Sequence, residues 1–214
     1  MDVVITPESI DLSPGGEVIL CHQTWANYEA LLESRQDQAA IKISFDASTQ
    51  KLRLMAPLPK HGNGSDILAD LVKCLLRHQG QDWQSFHPVT LKRFKQIGLE
   101  PDSCFYIQNR AAILGKETID LECDPPPDLA IEIDLTSFTQ PEDYEPIGVP
   151  ELWIYQGQTL AIYLFDGQHY QASSTSLLFP NIPVPQLMPT YVEQAWTEGS
   201  SVALRAFEST LQNY

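Results

Sequence analysis

The sequence predicts an α/β (α+β) fold, a central mixed sheet with helices packed on it. Three observations carry that prediction. AIKISFD (40–46) and KLRLMAP (51–57) alternate apolar and polar residues, the period of strands with one covered face. After Ser65, the residues Ile67, Leu68, Leu71, Val72, Leu75 and Leu76 recur at helical spacing, with Asp66, Asp70, Lys73 and Arg77 opposite. Short strand-like runs then fill the chain until two helix-like segments, 186–196 and 200–212, close it.

Each element follows from local chemistry. Residues 1–23 read as an irregular arm, with a turn at Ser13-Pro14-Gly15-Gly16 and a short strand at Glu17–Cys21. Thr24 can cap a helix to about Ser34 that places Trp25, Tyr28, Leu31 and Leu32 on one side. The two alternating strands form a hairpin through Ala47–Gln50. Pro57 to Gly64 breaks the pattern, and Ser65 can cap the core helix that ends near Gly80. Strands are expected at 89–95 and 103–109, joined by a loop, then a short helical or irregular link at 110–120 and a strand at 128–135. A hairpin of 151–155 and 160–165 and a strand near His169–Ala172 complete the sheet. The chain divides into an arm with its first helix (1–39), a core (40–185) and a C-terminal helical extension of the same domain (186–214).

Bulk properties narrow the function classes. With 214 residues, 43% of them apolar, one well-cored domain is expected. No apolar run reaches the length of a membrane span, and the acidic start lacks the pattern of a signal peptide, so a cytoplasmic protein is expected. Cys21, Cys74, Cys104 and Cys123 show no C-x-x-C spacing and read as reduced core thiols. The net charge of −15 argues at first against nucleic acid. Yet 10 of the 13 Lys and Arg lie in residues 1–98, with a local run at Lys92, Arg93 and Lys95. That run is either a solvated face or a phosphate-contacting edge. Apolar strands in 151–172 suggest a subunit interface, so a homo-oligomer, a dimer, is expected.

The segment PPPDLAIEIDLT (125–136) is unusual. A strand that turns Leu129, Ile131, Ile133 and Leu135 one way turns Asp128, Ala130, Glu132 and Asp134 the other. Carboxylates on a covered face must be paired, protonated or metal-bound. Periodicity alone leaves three readings open: a solvated face, structural ion pairing, or a hard-cation site. Asp102, at the mouth of the strand 103–109, is the second acidic candidate, although Asp after Pro is commonly a turn residue.

Taken in order, LRLMAPLPKHG (52–62), TLKRFKQIGLEPDSCFYIQN (90–109), PPPDLAIEIDLTS (125–137), GVPELWIY (148–155) and LAIYLFDGQHY (160–170) resemble the putative restriction endonuclease family, also called Uma-two or domain of unknown function 820. The resemblance implies a restriction-endonuclease-like PD-(D/E)xK core and a Mg²⁺- or Mn²⁺-dependent endonuclease hydrolysing DNA phosphodiester bonds. It implies Asp102 and Glu132 as metal ligands, with the backbone carbonyl of Ile133 as a third. Asp134 falls where the lysine of the simple E-x-K pattern would stand. A helical lysine of relatives is met here by Gln140, in a loop, SFTQPEDYEPI, broken by two prolines. Lys60 is the candidate to replace that cation in space, and His61, Lys92, Arg93 and Lys95 are candidate nucleic-acid contacts. The alternative is a catalytically inactive member acting as a nucleic-acid or protein interaction module.

Overall fold

A computed structural model describes residues 12–35, 41–135 and 139–214. The start of the expected arm, residue 40 and residues 136–138 lie outside the described residues.

The strands divide between two sheets rather than one. The smaller sheet takes β1 (Glu17–Leu20), β2 (Lys42–Asp46), β3 (Lys51–Met55), β5 (Leu91–Arg93) and β6 (Ile97–Leu99), in the order β1-β3-β2-β6-β5. The larger takes β4 (Gln84–Phe86), β7 (Ser103–Tyr106), β8 (Leu129–Asp134), β9 (Glu151–Gln156), β10 (Thr159–Phe165) and β11 (Tyr170–Ser173), in the order β11-β10-β9-β8-β7-β4. It is mixed: β8 and β9 run parallel, and its other pairs run antiparallel. The stretch expected to be a loop before residue 103 contains β6, whose three residues are all buried. A turn after Arg93 folds β6 back onto β5 and delivers it to the edge of β2. Such a pairing is non-local and leaves no periodic trace in the sequence.

Helix α1 (Trp25–Arg35) covers one face of the smaller sheet through Tyr28 and Leu31, against Ile43, Phe45, Leu52 and Leu54. Its start is capped reciprocally: the Asn27 amide donates to Thr24 Oγ1 at 3.2 Å, and the Thr24 amide to Asn27 Oδ1 at 2.9 Å. The opposite face, with Lys42, Ser44, Lys51 and Arg53, opens on a cleft. Helices α2 (Pro59–His78), α4 (Val184–Glu198) and α5 (Ser200–Leu211) cover one face of the larger sheet, packing on Leu129, Ile131 and Ile133. Between them in the chain lies the short α3 (Arg110–Ile113). The other face buries Cys104, Tyr106, Ala130 and Leu152 against Tyr144, Ile147 and Val149, and against Leu91, Ile97 and Leu99 of the smaller sheet. That shared core joins the two sheets.

Helix α2 starts at Pro59, ahead of the expected cap at Ser65. Proline suits a first helical turn, where its missing N–H has no intrahelical partner. Gly64, inside the helix, lies against β8; a Cβ there would sit 3.5 Å from Ile133 Cγ2. The earlier start carries His61 onto the helix and into the interior. Cys74 and Cys104 are buried as expected, whereas Cys21 and Cys123 are exposed, and all four are free thiols. Among the described residues no helix is long and apolar enough to cross a membrane.

Gly98 shows how tightly α1 sits on its sheet. A Cβ there would fall 2.1 Å from the Tyr28 hydroxyl oxygen and 2.3 Å from Cζ. Tyr28 is fully buried and cannot withdraw. Gly98→Ala is expected to lower stability by about 1–3 kcal/mol, read from urea unfolding midpoints; an unchanged midpoint would contradict this packing.

Candidate functional site

Strands β7 and β8 are antiparallel, with Ser103 opposite Ile131 and Cys104 opposite Ala130. Continuing that register by one residue sets Asp102 opposite Glu132, with both side chains on the same face. β8 is central in its sheet and buried along its whole length. The two carboxylates are therefore held close together out of water, at 6% exposure each. Such a pair needs a counter-charge.

Lys42 supplies it from the smaller sheet. Its Nζ donates to Asp102 Oδ1 at 3.0 Å and to Glu132 Oε2 at 2.8 Å. The remaining oxygens are also bound. Asp102 Oδ2 accepts from the Ile133 amide at 2.8 Å, and Glu132 Oε1 accepts from the Tyr144 hydroxyl at 2.5 Å. Tyr144 ends a 3₁₀ turn, Pro141–Tyr144, which Gln140 and Asp143 cap reciprocally. His61 Nε2 lies 3.1 Å from Asp102 Oδ2, within ion-pair reach but out of line for a hydrogen bond. Each carboxylate thus turns one oxygen inward to a common point and has the other oriented by a neutral donor.

This arrangement separates the two acids. Burial would raise Asp102, but the Lys42 ammonium, His61 and the Ile133 amide together hold it well below the usual carboxylate range. Burial dominates at Glu132 and, with the Asp102 charge, pushes it up to about 7 against the pull of Lys42. One ammonium cannot fully neutralise two buried carboxylates, and Asp102 has the stronger claim. Burial would depress Lys42; the two carboxylates outweigh it and raise the ammonium above its ordinary value. Tyr144 is raised by burial and by Glu132, so it remains a neutral donor.

The donor set suits a hard cation: one oxygen from each of two carboxylates meets at one point, and Mg²⁺ commonly uses one or two carboxylates with water completing its shell. Neutral second donors on ligand oxygens are what orient such ligands. The point itself is taken by the Lys42 ammonium. Among the described residues no group of three or more His, Cys, Asp or Glu is placed to hold an ion.

Lys42 and Glu132 stand at one end of a cleft of about 180 Å³ between β2, β3 and the segment 139–144. Ser44, Thr49, Lys51 and Arg53 line it, with Asp143 and Tyr144 facing them. Arg53 pairs with Glu17 at 2.9 Å.

Of the residues singled out from sequence, Asp102, Glu132, Ile133 and His61 come together. Ile133 joins the site through its amide N–H. Asp134 shares a face of β8 with Glu132 but accepts from the amide and hydroxyl of Thr139, at 2.6 and 2.9 Å. Asp128 likewise accepts from the amides of Ile107 and Asn109. The Lys60 ammonium lies over the Trp196 ring, 5.5 Å from the centroid, in a separate depression. Its place in the first turn of α2 points it toward α4. Lys92, Arg93 and Lys95 also stand apart from the cleft lining. Lys92 lies 3.9 Å from Glu29 of α1, and Lys95 lies over Phe94. Sequence reasoning missed Lys42, Lys51, Arg53 and Tyr144. The alternation in KISFD and KLRLM was the available signal, since it turns Lys42, Lys51 and Arg53 away from the apolar face.

The model of the Uma2 family, described as putative restriction endonuclease, matches residues 25–196 of the chain. Among solved structures, a putative nuclease belonging to domain of unknown function 820, from Anabaena variabilis, is similar at 17% identity and a TM-score of 0.44, covering 67% of this chain and 82% of that one. No curated protein matches.

The Glu132 shift has a measurable sign. A carboxyl group whose folded pKa is raised favours folding below its unfolded value, and that contribution is lost as pH rises through the folded value. The window runs from about 4.5 to about 7. Asp102 is depressed and lies outside it. In metal-free buffer of constant ionic strength, wild type is expected to lose stability relative to Glu132→Gln across that window, by urea midpoints. A pH-independent difference would contradict the assignment.

Proposed function

Because the chain belongs to the Uma2 family of putative restriction endonucleases, we propose that it hydrolyses nucleic-acid phosphodiester bonds, with Asp102, Glu132 and Lys42 as the reacting set. The observation that carries this reading is Lys42 Nζ within 3.0 Å of both acids. It supplies the cation that Asp134 and Gln140 do not. A Mg²⁺ or Mn²⁺ ion would be held by Asp102 Oδ1 and Glu132 Oε2. When bound, it supplies Lewis-acid stabilisation of the phosphoryl oxygens and an activated water.

The chain's own groups account for the rest. Tyr144 and the Ile133 amide hold the carboxylates in place without adding charge. Lys42 offers an N–H donor and a positive charge to a phosphoryl oxygen as negative charge develops there. Lys51 and Arg53, which also line the cleft, suit flanking backbone phosphates, and Ser44 adds a neutral donor. These groups read the backbone and leave base sequence unread. DNA is the substrate that the family description favours. A second reading, an inactive member that still binds nucleic acid, draws on the bound state of all four carboxylate oxygens.

Two measurements separate them. Purified protein with Mg²⁺ or Mn²⁺ should cut single- or double-stranded DNA; Lys42→Met should lower turnover by about 10²–10³, and Asp102→Asn and Glu132→Gln should abolish it. Cutting that survives in both carboxylate variants, or wild-type protein that cuts nothing, sinks the hydrolytic reading. Binding should weaken with salt. The double variant Lys51→Ala/Arg53→Ala should flatten the slope of log affinity against log salt by about 2, close to 0.9 for each phosphate that is no longer neutralised. An unchanged slope would place the nucleic acid elsewhere.

A further inference from the structure

We infer that Lys42 and a divalent cation compete for one seat, so that binding of the ion expels the Lys42 side chain into the cleft. The inference rests on the reading of Asp102 and Glu132 as a cation-binding pair, and it adds a mechanism by which that pair is closed when no metal is present.

Three features carry it. The first is coincidence of position. An ion about 2.1 Å from the two inward oxygens and an ammonium within 3.0 Å of the same oxygens cannot both be accommodated, and their like charges repel. The second is that the seat does not depend on Lys42 for its shape. The outward oxygens are fixed by the Ile133 amide and the Tyr144 hydroxyl, which remain when the lysine leaves. The third is an asymmetry of freedom. The carboxylate side chains are 5% and 8% exposed, whereas Lys42 is 24% exposed and lies on the cleft wall. The flexible four-carbon stem of lysine can turn toward Ser44 and the cleft while β2 stays in place. Released there, the ammonium lies beside the path proposed for the phosphodiester.

The apo protein therefore holds its own counter-ion, and metal affinity is reduced by the cost of displacing it. Removing that competitor should tighten metal binding, because the ion then meets two carboxylates with no ammonium to displace. A lysine that instead stayed beside the ion would leave affinity unchanged or slightly stronger through simple loss of repulsion, without any change in its own accessibility.

The experiment uses Mn²⁺ alone as the probe, followed by calorimetry and by the electron paramagnetic resonance signal of free Mn²⁺, on the full chain. Lys42→Met is expected to bind one Mn²⁺ on the order of tenfold more tightly than wild type, and Asp102→Asn to lose the site. Because Lys42→Met leaves two acids unpaired and could fold poorly, the second arm uses wild type. Its lysines are reductively methylated with and without saturating Mn²⁺ and mapped by mass spectrometry. Lys42 should be protected without the ion and labelled with it, while Lys51 labels equally in both. Equal Mn²⁺ affinities, or Lys42 protection that saturating Mn²⁺ does not relieve, overturn the competition. Mn²⁺ binding to neither wild type nor Lys42→Met overturns the seat itself. A protein that cuts no DNA but shows the affinity gain and the labelling loses the hydrolytic reading and keeps this one.

Discussion

One ammonium between two buried carboxylates holds the architecture of this protein together at its centre. Adjacent strands of the larger sheet bring Asp102 and Glu132 together, and the register leaves no other arrangement. Their counter-charge comes from the other sheet, so the two sheets are tied by an ion pair as well as by apolar contact. β2 has to be placed accurately for this. Next to Lys42, the Ile43 amide donates to Glu100 at 2.9 Å. Glu100 also receives both terminal nitrogens of Arg35, at 2.7 and 2.5 Å, and the Thr90 hydroxyl at 2.8 Å. Arg35 ends α1, so this further buried carboxylate fastens helix, β2 and the approach to β5 at one point. Breaking a buried pair of this kind typically costs about 3–5 kcal/mol, while replacing it whole with apolar groups can cost little. Its contribution is better understood as location: Glu100 fixes where Lys42 stands.

The loop after β8 explains why the cation comes from so far away. There this chain has Gln140, in a segment broken by Pro141 and Pro146. The segment folds as a 3₁₀ turn whose Gln140 and Asp143 bind each other's backbone. That turn delivers the Tyr144 hydroxyl to Glu132. A phenol there orients the carboxylate but carries no positive charge with which to neutralise it. The charge has to come from elsewhere, and the open face of β2 is the surface across from it.

Much of this was legible in the chain itself, and the reasons for the remainder are physical. The alternation in DLAIEIDL placed Glu132 opposite the apolar residues, and a short-range motif marked Asp102. Both signals are local. Lys42 lies 60 residues from Asp102 and 90 from Glu132, and in sequence it is one polar residue in an alternating strand. Nothing local separates it from a solvated lysine. Lys60 looked nearer to the chemistry because it adjoins His61, but neighbours on a helix point about 100° apart. His61 turns inward and Lys60 turns to Trp196. The division into two sheets was hidden for a similar reason. β6 is a three-residue strand whose partners, β2 and β5, are specified by a turn and a shared core rather than by its own pattern.

The charge distribution gives the site its final constraint. A net charge of −15 opposes the approach of any polyanion. At physiological salt that repulsion is screened beyond about 8 Å, so attraction must be local, in the cleft. Its cations are largely committed: Arg53 to Glu17, and Lys42 to the two acids. While Lys42 sits between them, the carboxylates keep a residual negative charge beside the cleft, and the lysine offers none of its own to a phosphate. Were the pair neutralised instead by a divalent ion, both conditions would reverse together. The residual charge would vanish and the freed ammonium would add to Lys51 at the cleft wall. Affinity for a phosphodiester and affinity for the ion would then rise together, since linkage makes any such coupling reciprocal. In a chain this acidic, that coupling would restrict tight engagement of nucleic acid to the state in which the carboxylate pair is already neutralised.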